Sequence, residues 1–115
     1  MTKTAEWTVN AEELAKAWNE TLPRLLNPSD KASVAPDAKD SNVLHIHIIT
    51  AGRSMYNFDF RVEYVDNREV RVDLVDAERD DVTTDERRDI VQTLIEDYVR
   101  HIHECAQQLK GLTNP

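Results

Sequence analysis

Between residues 43 and 75 apolar and polar side chains alternate almost without a break. Leu44, Ile46 and Ile48 fall on one face of an extended chain, and His45 and His47 on the other. Tyr56, Phe58, Phe60, Val62 and Tyr64 repeat the pattern against Asn57, Asp59, Arg61 and Glu63. Val70, Val72 and Leu74 repeat it against Arg71 and Asp73. A period of two marks a strand that is dry on one side and wet on the other. The spacing therefore predicts an antiparallel sheet of three strands. Ala51-Gly52-Arg53-Ser54 supplies the first turn and Asp66-Asn67-Arg68 the second.

The apolar faces of the second and third strands must coincide, which fixes the parity of their register. A loop at 66–68 then sets Tyr64 against Val70 and Val62 against Val72. On the wet side the same register sets Glu63 against Arg71 and Arg61 against Asp73. Both outer pairs are of opposite charge, each worth ~0.2–1 kcal/mol.

A sheet with one apolar face needs a cover, and two segments have the helical period to supply it. Over residues 10–26 Asn10 is placed as N-cap with Glu13 in capping-box position, and Val9 and Leu14 fit a hydrophobic staple. Ala11, Leu14, Ala15, Trp18, Leu22 and Leu25 follow at helical spacing, with Pro23 expected to kink or end the regular part. Over residues 83–110 Thr83 and Glu86 suit a capping box, and Ile90, Val91, Leu94, Ile95, Tyr98, Ile102, Cys105 and Leu109 form one stripe. Lys110 and Gly111 read as its stop. Residues 27–42 hold two prolines and one large aliphatic, Val34, and read as a mobile polar loop. The expected fold is one domain over 1–115, a two-layer α+β structure. It has a three-stranded antiparallel meander with two helices on one face, in the order α-β-β-β-α. Leu14, Trp18, Ile46, Phe58, Phe60, Val72, Leu94, Tyr98 and Ile102 should share its core.

This order resembles that of the double-stranded-RNA-binding domain. That family implies a basic start to the second helix that grips RNA. Here the position reads Thr83-Thr84-Asp85-Glu86-Arg87-Arg88, after Asp80 and Asp81. The acids repel phosphate, so the RNA-binding activity does not carry over with the topology.

Composition narrows the function further. Fourteen Lys and Arg against 22 Asp and Glu give a net charge of −8, the wrong sign for gripping phosphates by counterion release. One cysteine excludes a disulfide framework and a Cys-based zinc site, and suits a reducing, cytoplasmic setting. Two glycines are too few for a phosphate-cradling loop. No apolar run has the ~18–20 residues that span a bilayer, and the first residues lack a signal-peptide core.

Two places could carry function. On the wet face His45 and His47 point the same way and Asp59 falls opposite one of them. That makes a His-His-Asp metal site of an enzyme drawable. Arg61 beside it would repel a cation, so the face reads better as a polar binding surface. His101 and Cys105 lie one helical turn apart, but a lone cysteine on an apolar stripe reads as core. The second place is an acidic block. Residues 76–97 carry nine acids and three bases, so most of the net charge sits there. It contains Asp76, Glu78, Asp80, Asp81, Asp85 and Asp89, without the ligand spacing of a calcium loop.

The expectation is a small acidic, non-enzymatic binding or regulatory domain without a cofactor, whose partner is another protein with a basic surface. Direct nucleic-acid and membrane binding are not expected. The alternative within binding is a nucleic-acid mimic that inhibits a DNA- or RNA-handling protein. A homodimer through the open face or a sheet edge is a further expectation, because Ile49, Met55, Val65 and Val75 fringe that face. The charge makes one direct prediction. In a gel-shift or fluorescence-anisotropy titration the chain should not bind duplex DNA or RNA even at low salt, where counterion release is most favourable. Salt-sensitive binding would mean that Arg53, Arg87 and Arg88 outweigh the acids around them.

Overall fold

The computed structural model describes residues 9–26, 30–50, 56–66, 69–79, 82–83 and 89–113. The elements are α1 (Ala11–Leu25), β1 (Lys31–Pro36), β2 (Val43–Ile49), β3 (Tyr56–Tyr64), β4 (Val70–Arg79), β5 (Val82–Thr83), α2 (Asp89–Gln108) and α3 (Lys110–Thr113). The class is α+β, as the patterning predicts. The sheet is larger than the expected three-stranded meander. It has five antiparallel strands in sequence order, β1-β2-β3-β4-β5, the last of two residues.

Helix α1 starts where the cap chemistry places it. Asn10 Oδ1 accepts the amides of Glu12 (2.9 Å) and Glu13 (3.0 Å), two donors with no partner inside the helix. Val9 packs against the core, and the helix ends at Leu25, in the turn that holds Pro23.

The segment read as a loop contains β1. The reason is a tertiary hydrogen-bond exchange with α1. Asn19 Oδ1 accepts the Val34 amide (2.8 Å), and Asn19 Nδ2 donates to the Val34 carbonyl (2.8 Å) and to the Ala15 carbonyl (3.0 Å). The other side of β1 pairs with β2, with Ala32 opposite Ile48 and Val34 opposite Ile46. Asn19 thereby closes the outer edge of β1 at Val34, and Pro36 has no amide to offer there.

The hairpin of β3 and β4 takes the register that the apolar faces require. Tyr64 lies opposite Val70, Glu63 opposite Arg71, Val62 opposite Val72 and Arg61 opposite Asp73. The charges pair differently from the cross-strand expectation. Arg61 bonds Glu63 on its own strand (3.0 Å), and Arg71 bonds Asp73 on its own (3.2 Å). The register then shifts: Phe60 lies opposite Leu74, but Asp59 lies opposite Asp76. Val75 is the extra residue of a β-bulge and is 62% exposed. Past the bulge Ala77 lies opposite Phe58 and is buried.

The apolar face and the helices enclose one core. Leu14, Trp18 and Leu22 from α1 meet Val91, Tyr98, Ile102 and Cys105 from α2 over Ile46, Phe58, Phe60 and Val62. Val72 and Leu94 lie at its margin, half-buried. Phe58 stands 6.0 Å from Tyr56, 6.3 Å from Phe60 and 5.6 Å from Tyr98, ring centre to ring centre. Trp18 Nε1 donates to the Tyr64 hydroxyl (3.2 Å), which satisfies the indole inside the core.

At the C-terminal end Thr83 belongs to β5 and not to a helix cap, and α2 runs from Asp89. Gly111 lies within α3 instead of ending the helix. Among the described residues no helix is long and apolar enough to cross a membrane.

The Asn19 exchange makes a prediction about stability. Asn19→Ala leaves the partly buried Val34 amide and carbonyl without their partner. It should cost about 1–3 kcal/mol in a urea titration, the usual penalty for orphaned buried polar groups. An unchanged midpoint would show that water replaces the side chain at no cost.

Candidate functional site

The face of the sheet turned away from the helices is ordered by the strand register into rows. One row runs Ser33, His47, Asp59 and Asp76 from β1 to β4. The next runs Ala35, His45, Arg61 and Asp73. A shallow cavity of about 330 Å³ opens on these rows. It is lined by Ser33, Ala35, His45, His47, Asp59 and Val75.

His45, His47, Asp59 and Arg61 thus share one surface, as the alternation predicts, but they do not converge on one point. His47 Nδ1 donates to Asp59 Oδ1 (2.6 Å). His45 turns the other way, and its Nε2 donates to Asp37 Oδ1 (2.7 Å). A carboxylate only accepts, so each contact fixes which ring nitrogen carries the proton. Arg61, next to His45 in the row, is held by Glu63. Among the described residues no three His, Cys, Asp or Glu side chains come together as metal ligands do.

Asp37 is the residue that sequence reasoning missed. It follows β1 at the start of the turn to β2, and its Oδ2 accepts the amides of Lys39 and Asp40, both at 2.9 Å. The His45 ring holds its carboxyl well below the usual carboxylate range, with the Asp40 and Lys39 amides adding to the effect. The legible signal was Asp37-Ala-Lys-Asp-Ser-Asn between β1 and β2, a run rich in Asx-turn residues.

Ser33 was missed as well, because β1 was read as loop. It adjoins His47 across the strands, so hydroxyl, imidazole and carboxylate stand in a row. Among the described residues no hydrogen bond joins Ser33 to the ring. The nearest cation in the adjoining row, Arg61, is engaged by Glu63. The row therefore presents a hydroxyl, an imidazole and a carboxylate side by side on the outer face.

The acidic block falls only partly within the described residues. Asp76 lies on the outer face, where Oδ1 accepts the Ala77 amide (2.9 Å). Glu78 lies further along β4, and Asp89 begins α2. Asp80, Asp81 and Asp85 lie outside the described residues, as does Met55 of the fringe. Of the other fringe residues, Val65 is exposed and Ile49 half-buried.

Cys105 is fully buried, and burial pushes its thiol up to about 12, far from a thiolate at neutral pH. His101 bonds Glu104 (2.9 Å) instead of the cysteine. The Tyr98 hydroxyl shares a hydrogen bond with Thr50 Oγ1 (2.9 Å) and donates to Asp30 Oδ2 (3.1 Å). Burial pushes its pKa up to about 12, so it acts as a pin between helix and sheet.

Comparisons with protein-family models, with curated proteins and with solved structures found no match for this chain.

The Asp37 contacts give a pH prediction. Its pKa is lowered by folding, so the charged carboxylate stabilises the folded state above the ordinary Asp range near 3.8. That contribution fades as pH falls through the folded-state pKa. In urea titrations Asp37→Asn should be less stable than wild type at neutral pH, and the difference should shrink below about pH 4. A difference that stays constant with pH would remove the charge from the explanation.

Proposed function

We propose that the protein is a small, non-enzymatic binding or regulatory domain that meets another protein with the outer face of its sheet. The observation that carries this reading is the placement of Val75. Val75, the extra residue of the bulge and 62% exposed, stands at the margin of a largely apolar cavity that Ser33, His45, His47 and Asp59 border. An apolar contact ringed by polar groups is the anatomy of a protein-binding surface. The rings of His45 and His47 are already oriented by carboxylates, so a partner meets a pre-ordered surface.

The net charge of −8 favours a partner with a basic surface. Asp76 on this face and Glu78 next along β4 bring part of that charge to the site. A partner that handles nucleic acid would make the domain a mimic, and a competition assay separates the two cases. A mimic and a nucleic acid exclude each other from the partner, whereas an ordinary acidic interface need not.

The test is affinity capture with the full chain, followed by titration of the purified partner against variants. Val75→Arg should weaken binding at least roughly tenfold, which corresponds to ~1.4 kcal/mol. Asp76→Asn combined with Glu78→Asn should act mainly on the association rate, which should also fall as salt rises. Equal binding by wild type and Val75→Arg would move the interface off this face.

A further inference from the structure

The two edges of the sheet are treated differently. The edge at β1 is closed by Asn19 and Pro36. At the other side β5 pairs only with Glu78 and Arg79, at the far end of β4. Among the described residues no strand pairs with the outer side of β4 from Val70 to Leu74. The core side of this stretch is also unfinished. Val70, Val72 and Leu74 are half-buried, while their partners on β3, Tyr64, Val62 and Phe60, are almost wholly buried. A cavity of about 380 Å³, lined by Val65, Glu69, Val70, His103, Ala106 and Gln107, opens where the strand begins.

From this we infer that β4 is a dimerisation edge, and that its occupant is β4 of a second copy, paired antiparallel about a two-fold axis through Val72. The argument is one of charge and parity. Val70–Leu74 is bounded by the start of the strand and by the bulge at Val75, and Val72 is its midpoint. In an antiparallel pair, opposed residues share a face. With Val72 on the axis, Val70 meets Leu74 of the second copy and Val72 meets its counterpart, all on the apolar side. On the outer side Arg71 meets Asp73 of the second copy, twice by symmetry.

The neighbouring registers fail for stated reasons. An axis through Arg71 sets that arginine against itself, and an axis through Asp73 does the same with the carboxylate. An axis between residues sets apolar side chains against charged ones. Within one chain Arg71 and Asp73 already lie side by side at 3.2 Å, so the second copy meets a preformed charge pattern. The bulge at Val75 bends the strand beyond the paired stretch and limits the edge to one partner instead of a growing stack. This surface is separate from the cavity on the outer face, so the dimer stands or falls independently of the partner proposed above.

Sedimentation of the full chain from low to high micromolar concentration tests the inference. The mass should rise from one chain to two. Arg71→Asp, which sets acid against acid across the axis, should weaken the dimer at least roughly tenfold. Arg71→Asp combined with Asp73→Arg exchanges the partners and should restore most of the strength. Melting curves check that each variant is folded. Val72→Cys gives a second reading that leaves the charges alone. The two cysteines would have Cα atoms ~4.5–5.5 Å apart, within reach of a disulfide. Mild oxidation should link Val72→Cys into a dimer but leave Glu12→Cys, exposed on α1, as single chains. A single-chain mass at every concentration would overturn the inference. So would a dimer of equal strength in folded Arg71→Asp, or failure of Val72→Cys to link.

Discussion

Continued without a break, the pairing that sets Val62 against Val72 would carry Asp76 inward onto Phe58. Phe58 is fully buried and touches aromatic rings on three sides, so a carboxylate there would have no water and no counter-charge. The extra residue at Val75 removes the conflict. It reverses the parity of β4, sets the small Ala77 under Phe58 and turns Asp76 outward. One residue left out of the ladder is a local disruption, whereas an unpaired buried charge costs several kcal/mol. The bulge is thus the cheaper solution, and both halves of the sheet depend on it.

The bulge also decides what the outer face offers. Without it, Asp76 would turn to the core and Ala77 outward, while Val75 would face outward in either arrangement. Val75 stands at the margin of a cavity beside His45, His47 and Asp59. The two histidines are held by carboxylates in opposite directions, which makes them oriented surface groups instead of a chelating pair. Asp59 and Asp76 lie opposite one another, and the His47 ring supplies a donor to Asp59. The two histidine rings of this face are thus already held in place by carboxylates.

Edge chemistry divides the remaining surface. Asn19 uses both ends of its side-chain amide on β1 and holds a weak strand in the sheet. At β4 no such device appears among the described residues, and the apolar rim there remains half-covered. One edge is thus closed by a side chain, while the other carries alternating charge from Val70 to Leu74.

The sequence by itself determined β2, β3, the first part of β4 with its register, and the two core-facing helix stripes. Period-two and helical spacing are local properties, and parity alone aligns two apolar faces. The same alternation placed His45, His47, Asp59 and Arg61 on one surface, since side-chain direction in a strand follows from position. Tertiary structure decided β1, whose small residues Ala32, Ser33 and Ala35 carry too little pattern and whose Val34 is fixed by a helix distant in sequence. It decided the bulge, because only the ring of Phe58 makes Asp76 intolerable inside. It also decided where each histidine turns. Asp37 reaches His45 only after the β1–β2 turn closes, and Asn42 ties that turn to Tyr64. Local spacing fixes which face a residue occupies, but the group that answers it there comes from another part of the chain.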